Sequence, residues 1–438
     1  MVTTLIGRRF LKAYNEKYSK QYSAKEFFER EYFELFFNHS KYMQWVTNSP
    51  FVQMKSGQKP EKLTADERNE KLQNLTHKVE IDAPDASFAI GYPAAENKEF
   101  ASTSGLVTDI EIETVNEEVY LSWIGSGLGI GVAGGLNLLI DDETINLITY
   151  EGWNYYRKFL NDESLAKMKG NQINSWNGQW LTYRLGKYFS DDFDFSTLED
   201  EKAFKSDSTI IEVDTINWSN LFFSLSNLYP LKTLNTYIYS FGQTNKTIGF
   251  IPLYLKAGTQ LKEVFQQLFH TEAPFKTKSF QALFGMHIKR AAELGNIGLH
   301  ALRPDNLKKY MEEGKNLSFK KEEDNLSYQT YKTWLIAMLS KNKEEIIDYT
   351  LKLAKLIQRY RAAATGTGRK NLIENELFGA KSKKGFIDAL TEMLSGIEAS
   401  DIEAVKKFKD EVHLMTNEEF GYFKTLLKFD YAFIEKQS

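Results

Sequence analysis

Gly129, Gly131 and Gly134 stand in the spacing G-x-G-x-x-G, inside a run of twenty-two uncharged residues from Val119 to Ile140 that holds six glycines. Glycines so spaced bring backbone N–H groups against a dinucleotide pyrophosphate, provided a strand precedes them and a helix N-terminus follows. Here Gly135 to Ile140 read as another apolar strand, ending at Asp141 and Asp142, and Glu151 alone stands near the ribose-binding distance. The glycines are therefore expected chiefly to let backbone approach backbone or a ligand. A nucleotide-binding enzyme built on 125–135 stays open as an alternative. The run is also long enough to cross a bilayer, with Gly127, Gly131 and Gly135 in small-xxx-small spacing. Acidic flanks and six residues of low helix propensity argue against a span.

Phosphate chemistry is suggested further along. Ala364 to Lys370 reads ATGTGRK, which lacks the Walker A spacing. Yet Gly366 and Gly368 would expose N–H groups before a helix whose first turn carries Arg369 and Lys370, where cations oppose the helix dipole unless an anion meets them. With Arg359 and Arg361 upstream and Lys381, Lys383 and Lys384 downstream, the segment forms a basic strip suited to a nucleic-acid backbone, or else an ordinary solvated face. From Lys341 to Thr391 there are eleven Lys and Arg against six Asp and Glu. Base edges would need amides or cations on exposed tips. Candidates are Gln243, Asn245 and Lys246, and a second segment, Asn171, Gln172, Asn174, Trp176, Asn177, Gln179 and Trp180, where amides alternate with flat rings. Both are also ordinary turn compositions.

Capping boxes place helices at Ser23/Glu26, Thr64/Glu67, Ser400/Glu403 and Thr416/Glu419. A loop is expected over 82–105 and strands over 106–124 and 135–149, the first read as a hairpin from its alternating apolar residues. Helices are expected around 150–190, then strands over 234–241 and 247–255 with a polar tip at 242–246. After Lys256 the pattern is helical. Ile346, Tyr349, Leu353, Leu356 and Tyr360 form one stripe, with breaks at 366–368, 379–381 and Gly396. The expected fold is α+β: a mixed α/β body over 1–320 with antiparallel hairpins, then a helical bundle over 321–438.

At 438 residues the chain suffices for two or three domains. It has no cysteine, which removes disulfides, thiol nucleophiles and thiolate metal sites, and its six histidines are scattered. No metal or cofactor is expected. The start lacks a secretory pattern, so the expected location is cytoplasmic. Net charge is only −4, so local rather than global fields matter.

The glycine-rich WIGSGLGIGVAGGLNLLI, from Trp123, followed by a helical part containing RKNLIENELFGAKSKKGFIDALTEML, from Arg369, resembles the large subunit of type I CRISPR surveillance complexes (Cascade), most like the I-B and I-A branch. Some relatives carry paired C-x-x-C zinc motifs that this chain lacks. The resemblance implies a non-catalytic subunit at the 5′ end of the crRNA, beside the backbone subunits. It would recognise the protospacer-adjacent motif in double-stranded DNA, help open the duplex and support the displaced strand in the R-loop. Cleavage would fall to a recruited helicase-nuclease. It also implies that a small subunit can be made from the C-terminal region, with Met311 and Met338 as candidate internal starts. A protein-interaction scaffold is the remaining alternative.

Overall fold

The structure is a computed structural model that describes residues 1–46, 49–82, 84–86, 89–92, 113–186, 189–240, 246–270, 280–286, 288–339 and 343–437. The fold is α+β, and the chain forms two compact units, Met1–Leu255 and Lys256–Ser438. The expected division at 320/321 is corrected to Leu255/Lys256. The reason lies in packing: the helix Lys256–Phe269 buries Leu261, Val264 and Phe265 and lies against the helix Glu322–Leu339, with the Gln260 amide donating to the Ala337 carbonyl at 3.2 Å.

In the first unit, α1 (Val2–Tyr18) ends at Ser19 in the left-handed conformation. The next helical run, 24–36, opens on the Ser23/Glu26 box and contains a π turn at Phe28–Tyr32. α2 (Ala65–Ile81) opens on the Thr64/Glu67 box. α3 (Asn116–Gly127) is a helix where strand was expected, and 106–112 lie outside the described residues. Every α3 residue from Val119 to Gly127 is buried, so no wet face imposes a helical period and the alternation of Val119, Leu121 and Trp123 reads as strand. α1 crosses α3 closely: a Cβ on Gly7 would collide with the Leu121 carbonyl, and one on Gly125 with that of Thr3.

Strands β1 (Ile130–Val132) and β2 (Leu136–Ile140) follow, then α4 (Glu143–Asn161), which replaces the second half of the strand expected over 135–149. Asp142 caps α4 by accepting from the Ile145 amide at 3.0 Å. α5 (Ile173–Arg184) and α6 (Trp218–Leu228) precede β3 (Thr236–Ser240) and β4 (Lys246–Phe250). The four strands form one antiparallel sheet in the order β1-β2-β3-β4, with Ser240 opposite Lys246 at the end of the β3–β4 hairpin. The core is aromatic: Phe10, Phe28, Tyr32, Trp123, Trp153, Trp176 and Trp180 are sealed from solvent. Each such Phe contributes about 1.5–3 kcal/mol by burial. Edge-to-face pairs such as Phe36 on Trp153, 4.8 Å apart, add to it.

The second unit comprises α7 (Lys256–Phe269), α8 (Glu322–Leu339), α9 (Lys343–Ala362), α10 (Thr367–Asn371), α11 (Lys383–Met393), α12 (Ile402–Leu414) and α13 (Asn417–Gln437), with a short pairing of Phe284–Met286 against Leu302–Pro304. Leu353, Leu356 and Tyr360 of the α9 stripe are buried. Thr416 and Glu419 close their capping box. The expected Ser400 box does not form, because a 3-10 turn at Ala399–Asp401 makes Asp401 the residue before α12.

Candidate nucleic-acid interface

The glycine-rich segment is a β-hairpin rather than a strand, loop and helix. Gly134 and Gly135 have φ of 93° and 71°, which a tight connection between β1 and β2 needs and which glycine adopts without strain. No helix N-terminus follows Gly134 to receive a pyrophosphate, so a dinucleotide site of that type is not formed there. The carbonyls are also occupied: the Asn177 amide donates to those of Gly127 and Gly129, both at 2.8 Å, and Asn174 donates to Gly129 at 2.9 Å.

Those bonds correct the reading of Asn177 and Gln179 as exposed base readers. Both lie on α5 and are buried, Asn177 completely, and the Gln179 amide donates to the Asp214 carbonyl at 3.0 Å. Trp176 and Trp180 donate from their indoles to the Gly152 and Ile148 carbonyls, inside the core. Gln172 accepts from the Val213 amide. What resembles a stacking platform is a helix with two packed sides, its amides Asn174 and Asn177 on the glycine segment and its rings Trp176 and Trp180 on α4.

Asp141 and Asp142 are likewise committed. Asp141 pairs with Arg9, while Asp142 takes Lys232 at 2.5 Å and the Tyr229 hydroxyl at 3.1 Å. Among the described residues no group of three or more His, Asp and Glu could hold a metal ion.

In the second unit the basic strip divides. Arg359 pairs with Asp401 at 2.5 Å, and Arg361 with Glu435 and the Tyr431 hydroxyl. Arg369 donates to the Tyr360 carbonyl at 2.6 Å and stacks over that ring, 4.4 Å from its centroid. Lys370 stands 3.9 Å from Glu374, an exposed pair of little energetic weight. Lys383 crosses to the His413 and Met415 carbonyls at the C-terminal end of α12, where a cation complements the dipole. The three arginines therefore bind this unit together, contrary to their expected place on an open cationic strip. Lys381 and Lys384 remain exposed, with no ion pair among the described residues, just before and within the first turn of α11. The dipole conflict expected at Arg369 and Lys370 thus falls on this pair.

Gln243 and Asn245 lie outside the described residues, and of Lys246 only the backbone is described, as the first residue of β4. The flanking strands β3 and β4 pair, with Ser240 opposite Lys246. At the other end of that pairing an open apolar groove of about 270 Å³ is lined by Val2, Leu5, Tyr237 and Phe250 among others. Phe250 is 69% exposed on β4, the edge strand of its sheet.

Comparison with protein-family models, with curated proteins and with solved structures finds no match. No helix among the described residues is long and apolar enough to cross a membrane.

Proposed function

We propose that this chain is a non-catalytic, nucleic-acid-binding subunit of a cytoplasmic RNA-guided DNA surveillance complex. In this reading it works with crRNA and backbone subunits, recognises the protospacer-adjacent motif in the DNA duplex, and steadies the displaced strand while a recruited helicase-nuclease does the cutting. The observation that carries it is the pair Lys381 and Lys384: unpaired cations at the positive end of α11 raise its energy until a polyanion neutralises them. In this reading Gln243, Asn245 and Lys246, which the sequence places where the β3–β4 pairing ends, meet base edges, and the apolar groove at the other end of that pairing takes an assembly partner.

Changing Lys381 and Lys384 together to Ala should weaken binding to every DNA sequence alike, since phosphate contacts carry no sequence information. Changing Gln243 and Asn245 to Ala should shift which flanking motif is accepted. Equal loss on every motif would refute the hairpin as the reader. Unchanged affinity in the lysine variant would refute α11 as the grip.

A further inference from the structure

One apolar patch of the first unit faces solvent instead of another element. The groove of about 270 Å³ beside β4 is floored by buried side chains, Ile6, Leu139 and Ile251. Its rim is open, with Leu5 of α1 44% exposed and Phe250 of β4 69% exposed. The backbone here has little to offer a visitor: Ile251 donates inward to the Thr236 carbonyl at 2.8 Å, and Pro252, which also lines the groove, has no N–H to give. Recognition at this spot therefore falls on side chains.

The charges beside the groove have a direction. Arg9 pairs with Asp141, itself a groove-lining residue, and the preceding Arg8 pairs with Glu118 at 3.1 Å. Lys12 follows one turn along α1, 3.8 Å from Glu16. In both arginine pairs the cation is the outer member, its side chain 55% exposed against 29% for Arg8 and Glu118, and 49% against 26% for Arg9 and Asp141. Exposed pairs of this kind hold their partners weakly, and a guanidinium has donors enough to serve a second carboxylate. An apolar slot beside outward-facing guanidinium groups fits apolar side chains flanked by carboxylates. A bilayer shares the charge preference but accepts a convex apolar face, whereas this one is concave.

We infer that this groove, on the reading above that it takes an assembly partner, binds a protein segment whose apolar side chains are flanked by Asp or Glu. Leu5 and Phe250 grip the apolar side chains, and Arg8 and Arg9 meet the acids. The grip on DNA at Lys381 and Lys384 is a separate matter and does not depend on it.

The test titrates the full chain into a short labelled peptide alternating Glu with Leu and Phe, read by fluorescence anisotropy. Saturable binding is expected, and exchanging its Glu for Lys, or its Leu and Phe for Ser, should each weaken it by about tenfold or more. Phe250→Ser, at a position too exposed to disturb folding, should cost about tenfold, the worth of one apolar side chain removed from contact. Arg8→Gln combined with Arg9→Gln should weaken the Glu peptide, flatten the salt dependence of its binding and leave the Lys peptide unaffected. A Lys peptide that binds as well as the Glu peptide overturns the acidic partner while leaving the groove a partner surface. If no apolar peptide binds, or Phe250→Ser changes nothing, the groove reading falls as well. Vesicles of anionic phospholipid complete the set: binding to them without binding to the Glu peptide makes the patch a membrane surface and overturns the inference.

Discussion

Asn177 holds two backbone carbonyls of the glycine segment where solvent does not reach, so its amide does structural work that no water can take over. Asn177→Ala should destabilise the chain by about 1–3 kcal/mol, the cost of leaving buried acceptors unpaired, as measured by urea unfolding. Its effect on DNA binding should appear only through that loss of stability. His39 gives a pH signature. The folded state lowers its value from 6.5 to about 4, so the unfolded chain takes up a proton first as pH falls. Stability is then complete above pH 6.5 and is lost progressively down to about pH 4. Unfolding curves in phosphate-free buffers should show His39→Gln losing less stability across that window than the unsubstituted chain. An identical decline in the two would contradict the neutral imidazole. At this scale the sequence was legible where chemistry is local: the boxes at Ser23, Thr64 and Thr416 form as their spacing requires. The contacts of Arg68 and Arg157 around residues 35–41 were not legible, because residues so far apart in the chain meet only in the fold, Arg68 at Asn38 and Arg157 at the Leu35 and Lys41 carbonyls.

Elements were legible where one face is wet. The α9 stripe and the β3–β4 hairpin emerged from their periods, whereas α3 was mistaken for strand because it is buried on every side. α5 falls within the helices expected around 150–190, but its Asn and Gln were also read as an exposed tip, although Ile173, Trp176 and Trp180 keep helical spacing and are buried. The helices of the second unit are joined by a buried ion pair: Lys332 of α8 meets Asp430 of α13 at 2.6 Å, and Asp430 also accepts from Tyr328 at 3.0 Å and from Thr350 of α9 at 2.7 Å. Breaking one partner strands a charge, so Lys332→Met should cost about 3–5 kcal/mol in urea unfolding. Adding Asp430→Leu should recover much of that loss, and a double variant as unstable as the single one would contradict the ion-pair account. The network also bears on an internal start. Met338 lies inside α8, so a product beginning there loses Lys332, while one beginning at Met311 keeps it but lacks α7. A fragment from Met311 should melt below one from Lys256.

For the whole molecule, the expected α+β layout holds, and the division into two units falls where α7 turns its apolar face to α8, a partner that sequence periodicity cannot name. Charge was the least legible property. Counting cations along 341–391 suggested a broad strip, but Arg359 and Arg361 pair with Asp401 and Glu435 from outside that segment, and Arg369 folds back on Tyr360 within it. The central claim, a polyanion grip reduced to Lys381 and Lys384 with the hairpin tip, is tested most directly by titrating the chain with duplex and single-stranded DNA over a series of salt concentrations. The account predicts that log affinity falls linearly with log salt, and that the Lys381→Ala/Lys384→Ala variant flattens the slope by about two phosphate contacts. Affinity indifferent to salt, or a slope unchanged in the variant, would contradict it.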